Sequence, residues 1–407
     1  MTTIRVPRRW QRLFPRAIGG ILLILIAGAA WWRLHDRTDP DRLWEDAERA
    51  FLSGRWDVTK ASLVRLERIR PKNGLDWLLT AQLAIAEKRF DDAFYAISQI
   101  PDDHPMAAQA HLLEGRLWRQ LRRLRKSEEA FRHALALKPG LVDARKELIY
   151  ILGIQSRRRE VDAEFHALAK LTTLSHHDLF TWALTHFTQW NPDIVQDLDG
   201  FIAADPGDRL SRLAVTELLL ERPGDEVDAY IERILGPLPE SDTDALALRI
   251  NFAFNRGRYT EAEAMLAKAP EDHPRISRMR GELALRKRDV DAAIKHFRDA
   301  LSSEPYDRVS PMHLAQALKL KGDNTAAEAH LARVQKLNAV YNQIIRVRSP
   351  SRQNQISDLA ELGKACEEAG LLEEARGWYK LAITMSPLDE EAQRALSRLG
   401  TGGSAAN

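Results

Sequence analysis

Residues 281–305 read GELALRKRDVDAAIKHFRDALSSEP, and residues 363–387 read GKACEEAGLLEEARGWYKLAITMSP. Laid over one another, the two stretches pair Gly281 with Gly363, Ala293 with Ala375, Phe297 with Tyr379, Ala300 with Ala382 and Pro305 with Pro387, always at an offset of 82. Small residues let two helices approach closely, an aromatic fills the gap to the next pair, and proline ends a helix because it lacks the amide hydrogen. The pattern predicts two antiparallel helices per unit, with Gly370 at the turn between them.

Working outward, the same signature recurs at Gly115, Trp118, Phe131, Ala134 and Pro139, and at Gly257, Tyr259, Ala262, Leu266 and Pro274. Phe90, Ala93, Ile97 and Pro105 mark another copy, whose ending IPDDHP is echoed by APEDHP at 269–274. Weaker copies run through Leu43, Gly54, Trp56, Leu63 and Pro71, and through Ala315, Gly322 and Ala327. From about 142 to 240 the small-residue signature fades while helical spacing persists, as in Leu148, Leu152, Phe165 and Leu168. Phe180, Trp182, Phe187 and Trp190 crowd there, and a packing role is expected of them.

The unit resembles the 34-residue tetratricopeptide repeat. That resemblance implies an all-α, right-handed superhelical solenoid of about ten helix-turn-helix repeats over residues 41–388. The expected layout is an array over 41–240, degenerate from about 142, then an array over 241–338 and a last repeat over 356–388. An irregular hinge is expected at 339–355, a polar capping helix at 389–399 and a flexible tail at 400–407.

Before the repeats, Ala17 to Trp32 reads AIGGILLILIAGAAWW, sixteen residues without a charge. Spanning a bilayer takes about 20 residues, with a lower limit near 17, so residues 17–34 are expected to form a single transmembrane helix or signal anchor, with Trp31 and Trp32 at the headgroups. Arg5, Arg8, Arg9, Arg12 and Arg16 precede it, which places the basic stretch 1–16 in the cytoplasm and the body on the extracytoplasmic side, the periplasm in a bacterium. Ala27-Gly28-Ala29 also fits a signal-peptidase site, which would release a secreted protein. The two tryptophans just past it suit a retained anchor at the cell membrane better.

The net charge of +2 comes from those five arginines, since the remaining chain holds 55 basic and 58 acidic residues. So nearly neutral a body gives no electrostatic footprint for nucleic acid. A single cysteine, Cys366, excludes an internal disulfide or a cysteine-built zinc cage, and it falls where the repeat packs a core side chain. His166, His176, His177 and His186 lack the helical spacing of a metal site, and no phosphate loop or nucleophile turn is present. No catalytic residue, cofactor, metal or small-molecule substrate is therefore expected.

What the tetratricopeptide resemblance implies instead is a concave groove, lined by the first helix of each repeat, for a protein or peptide partner. It assigns Arg116, Arg119, Lys146, Asn251, Arg278 and Gln316 to that side. The lysine and asparagine pair with which some family members clamp a terminal carboxylate is absent, because Ala247 precedes Asn251 at the matching place. The expectation is a membrane-anchored scaffold or adaptor that helps assemble a cell-envelope complex. The alternative is a non-catalytic arm that recruits substrate to a membrane enzyme. In layout the chain resembles the lipopolysaccharide assembly protein B family, whose terminal four-cysteine module it lacks.

Overall fold

A computed structural model describes residues 39–187, 194–304, 307–347 and 356–401. The apolar segment 17–34, His186 and Trp190 lie outside the described residues or have side chains that do. Among the described residues there are 21 helices and no strand, and no helix is long and apolar enough to cross a membrane.

The chain divides into two compact units, one reaching Leu117 and including residues 136–139, the other formed by residues 118–135 and from 140 onward. In the first lie α1 (Pro40–Leu52), α2 (Trp56–Ile69), α3 (Gly74–Ala86), α4 (Phe90–Ser98) and most of α5 (Ala107–Gln120). Asp39 caps α1 through Asp41 N, with Pro40 at the first helical position, where its missing N–H costs nothing. Leu43, Ala47, Leu63, Leu66, Leu79 and Leu83 form one core across α1, α2 and α3. Asn73 and Asp76 cap α3 reciprocally, and Arg70 grips the buried Asp76.

In the second unit follow α6 (Leu124–Leu137), α7 (Val142–Ile154), α8 (Arg158–Leu171), α9 (His176–Phe187), α10 (Ile194–Ala204), α11 (Arg209–Leu219), α12 (Asp225–Leu235), α13 (Thr243–Asn255), α14 (Tyr259–Leu266), α15 (Pro274–Arg286), α16 (Val290–Ser303), α17 (Val309–Lys321), α18 (Asn324–Val347), α19 (Ile356–Glu368), α20 (Leu372–Met385) and α21 (Glu390–Thr401). Helix α9 packs against α18 and α20, some 200 residues further along the chain, so this unit closes back on itself.

A left-handed residue closes the turn inside eight helix pairs: Gly54, Lys88, Arg122, Ser156, Gly257, Arg288, Gly322 and Gly370. The first four stand 34 residues apart. At each, the left-handed amide reaches back three residues and the next amide five, as in Gly370 N to Glu367 O and Leu371 N to Cys366 O, satisfying carbonyls that the helix end leaves open. This register runs through α7 and α8, so regular pairing extends to Leu171, past the expected break near 142.

Three further expectations are corrected. Ala339 to Val347, read as irregular, continues the 24-residue α18, because Val340, Ile344 and Val347 keep an apolar stripe buried. Residues 348–355 lie outside the described residues. Pro274, read as closing a helix, opens α15 at its first position. Glycine-aromatic packing is as the sequence implies: a Cβ on Gly281 would lie 2.7 Å from the Phe297 ring, and one on Gly363 would lie 2.6 Å from Tyr379.

Candidate functional site

The first helices α13, α15 and α17 lie side by side in the second unit and carry three of the sequence-assigned residues. Half-buried Asn251 sits on α13, Arg278 on α15 and exposed Gln316 on α17. Their placement follows from local packing. Ile250, Ala253, Ile276 and Met279 turn into one core cluster, and Leu314, Ala315, Ala317 and Leu318 into the next, which leaves the opposite sides of the three helices for polar groups.

The other three assigned residues are elsewhere. Arg119 Nε lies 3.2 Å from Glu147, and its guanidinium sits over the Tyr150 ring at 5.5 Å. Lys146 Nζ lies 2.9 Å from Asp178, which also accepts from Ser175 N and Oγ. Burial works against the Asp178 carboxylate, but Lys146 and Ser175 hold its pKa below the ordinary value. Arg116 is exposed and belongs to the first unit.

The electrostatic centre of the face is Glu217 on α11, whose side chain is only 15 % exposed. It accepts from Arg275 at 2.7 Å, and Arg158 of α8 stands 3.6 Å away. Burial pushes its carboxyl up, yet Arg275 and Arg158 overcome this and hold the pKa below the ordinary value. Arg275 is raised in turn, chiefly by Glu217. Beside it, Arg159 donates to the Ser303 carbonyl at 2.6 Å and ties α8 to the end of α16.

At the start of α13, Asp242 caps the helix through Ala245 N and accepts from Arg209 at 2.7 Å, while His273 lies 3.1 Å from Asp244. His273 first, and Arg209 after burial, hold Asp244 well below the usual carboxylate range. Arg278 is different. Its side chain is 21 % exposed, its nearest carboxylate is Glu282 at 3.8 Å from Nε, and the buried Nε makes no hydrogen bond. Burial pushes the Glu282 carboxyl up, although Arg278 and His313 oppose it.

The sequence reading missed Glu217, Arg158 and Arg275, because the carboxylate stands in the degenerate region and its partners come from other helices. It also missed a repeated device. Arg249 donates to the carbonyls of Leu235 and Leu238, and Arg280 donates in the same way to Leu266 and Ala269. Each arginine finishes the open end of the preceding helix, where a cation is favoured.

Cys366 is fully buried, and burial followed by Glu374 pushes its thiol up, which suppresses the reactive thiolate. His166 lies 3.4 Å from Asp162 and edge-on to Trp182, whereas His176 packs edge-on to Trp378.

Residues 248–308 and 278–342 match the tetratricopeptide repeat family. The chain carries tetratricopeptide repeats. The matched windows cover α13 to α18, the part of the second unit that bears Asn251, Arg278 and Gln316. No curated protein sequence matches the chain. Similar solved structures include the APC/C hetero-tetramer Cut9-Hcn1, at 12 % identity over 90 % of this chain and 84 % of that one, with a TM-score of 0.34. An IFIT1 monomeric mutant with Gppp-AAAA is similar at 14 % identity over 86 % and 91 %, TM-score 0.33. Naa15/Naa10 bound to HypK-THB follows at 13 % over 90 % and 61 %, TM-score 0.31. These are likenesses of fold alone.

Proposed function

We propose that this protein is a non-catalytic adaptor that holds a protein partner on the first-helix face of its tetratricopeptide repeats. The observation that carries the reading is that face itself: Arg278 and Gln316 stand clear of the two core clusters, and Met312 and Leu320 beside them are 52 % and 64 % exposed. Side chains that packing does not consume are available for a partner.

The tether belongs to the same proposal. Its support is sequence: an uncharged run over 17–32 flanked by arginines, with tryptophans at its end, reads as a retained single-pass anchor with a cytoplasmic amino terminus. The body would then lie on the extracytoplasmic side and serve the assembly of an envelope complex. The full chain, crosslinked in intact native membranes and purified, is expected to bring down a defined protein at constant stoichiometry, and protease added from the extracytoplasmic side is expected to reach the repeats. Recovery of the chain alone, or protection of the body from that side, would reject the respective half of the proposal.

A further inference from the structure

Helix α17 is apolar almost all round yet buried on one side only. Leu314, Ala315, Ala317 and Leu318 are inside, whereas Val309, Met312 and Leu320 are 40 %, 52 % and 64 % exposed. With exposed Gln316 between them, these residues fall at spacings of three and four and share one face. The stripe is about 16 Å long at 1.5 Å per residue, roughly three turns of a facing helix.

His313, one turn after Val309, marks one edge of the stripe and stacks on Phe297 at 5.6 Å. Its charge bears on Glu282, which stands 3.8 Å from Arg278. Arg278 therefore flanks the apolar stripe. A guanidinium carries five N–H donors, and side chains shielded from water nearly always have their donors met. Arg278 donates no hydrogen bond among the described residues, and its Nε is buried. Glu217 is already engaged by Arg275 at 2.7 Å, with Arg158 at 3.6 Å, and Glu282 is out of bonding range. The missing acceptor has to come from outside the chain.

We propose that the α17 stripe and Arg278 form one docking surface for an acidic amphipathic helix of the partner protein, its apolar side covering Met312 and Leu320 and one of its Asp or Glu carboxylates bridging to Arg278. This rests on the adaptor reading and names the chemistry of the partner. A helix is the occupant because the stripe repeats at the spacing by which helical anchors are read, and it is acidic because a planar fork of donors matches a carboxylate.

The test uses the full chain in its native membranes with a photoreactive residue at one of two places: Gln316→p-benzoylphenylalanine on the stripe, or Tyr95→p-benzoylphenylalanine in the first unit as reference. The expected adduct at 316 lies in a partner segment with apolar residues at i, i+3 or i+4, and i+7 and an Asp or Glu beside them. Arg278→Gln should lower its yield roughly 10-fold or more, the loss of a charge-assisted bond, and Met312→Asp or Leu320→Asp should lower it comparably. A synthetic peptide of the captured segment should weaken by a like factor when its acid is amidated, and lose nothing further against Arg278→Gln. Because Met312 and Leu320 already face water, their variants keep the test valid if Arg278→Gln does not fold. A segment without the acid or the apolar spacing, an adduct with lipid only, or an unchanged yield in Arg278→Gln would overturn the proposal. Capture from position 95 with none from 316 overturns the docking surface and leaves the adaptor reading standing. Silence at both positions removes both.

Discussion

Helices α13 to α18 and helices α9 to α12 belong to the same unit, but different forces hold them. In α13 to α18 each pair closes on a left-handed turn, at Gly257, Arg288 and Gly322, and α16 lays Phe297 over Gly281 of α15. Contacts there are made with the nearest neighbours. In α9 to α12 no described residue closes a pair in this way, and Gly224, at φ 140°, sits before α12 rather than after a first helix. Long-range polar contacts take over: Trp182 Nε1 donates to Asp162 at 2.8 Å, Arg212 to the carbonyls of Pro206 and Ile234, and Glu217 receives Arg275. A regular repeat is stabilised by its neighbours, whereas an irregular one depends on particular partners elsewhere in the chain.

The largest effects are therefore expected where the irregular part is cut. Trp182 is fully buried and stacks on Phe165 at 5.4 Å. Trp182→Ala should cost about 3–5 kcal/mol by opening a cavity and should strip Asp162 of a donor. Hydrogen exchange should show α9 losing protection before α13 to α18 do; equal loss throughout would mean that the two regions unfold as one. Glu217→Gln comes next, at about 2–3 kcal/mol, below the full cost of breaking a buried pair because Glu217 and Arg275 are 15 % and 26 % exposed. Glu217→Leu combined with Arg275→Met should recover most of that loss in urea melts. If the double variant is no better than the single one, the pair is not what holds α11 to α15.

In the regular part the sensitive contact is local. Gly281→Ala places a methyl within 2.7 Å of Phe297, and such overpacking costs about 1–3 kcal/mol. Adding Phe297→Leu should relieve it, measured by thermal melting, and a failure to do so would mean that the glycine serves something other than close approach. A smaller effect depends on pH. His176 packs on Trp378 with Nε2 buried and unbonded, and burial, with His177, pulls its pKa below the ordinary 6.5. Docked α9 thus binds fewer protons than undocked α9, so docking is at full strength above pH 6.5 and weakens as the pH falls through that value. His166 acts in the opposite sense, because Asp162 raises its pKa, but that partner is one turn away in α8 itself. Exchange of α9 should speed up in acid, and His176→Phe should remove the dependence; an unchanged profile in that variant would assign the effect elsewhere.

The helix pairs, the glycine-aromatic packing and the buried Cys366 were legible because each depends on residues within one repeat, where spacing alone carries the information. Eight turns share one hydrogen-bond pattern, although only four of them hold glycine, so the register was visible at Gly54, Gly257, Gly322 and Gly370 and hidden at Lys88, Arg122, Ser156 and Arg288. That is why regular pairing reaches Leu171 while the sequence signature fades near 142. Of the candidate face, Asn251, Arg278 and Gln316 could be placed from helical register alone. Glu217, Arg158 and Arg275 could not, since they meet only through the packing of α8, α11 and α15. The Arg249 and Arg280 caps left a faint mark, 31 residues apart, each in the helix after a proline-containing turn.

The hidden turns supply the smallest prediction and the finest comparison between regions. A side chain in the left-handed region costs about 1 kcal/mol, which glycine avoids. Arg288 has φ 61° and Ser156 has φ 56°, and they share a backbone pattern with Gly257 and Gly322. Arg288→Gly and Ser156→Gly should each stabilise their turn by up to about 1 kcal/mol, reduced by the greater freedom of glycine in the unfolded chain. Ser156 closes the last regular turn before the irregular helices, whereas Arg288 lies amid regular ones on both sides. If nearest-neighbour coupling is what separates the two regions, Arg288→Gly should slow exchange in both α13–α14 and α17–α18, and Ser156→Gly should slow it in α7–α8 without reaching α11. A gain that spreads equally in both directions from Ser156 would show that the irregular helices transmit stability as the repeats do.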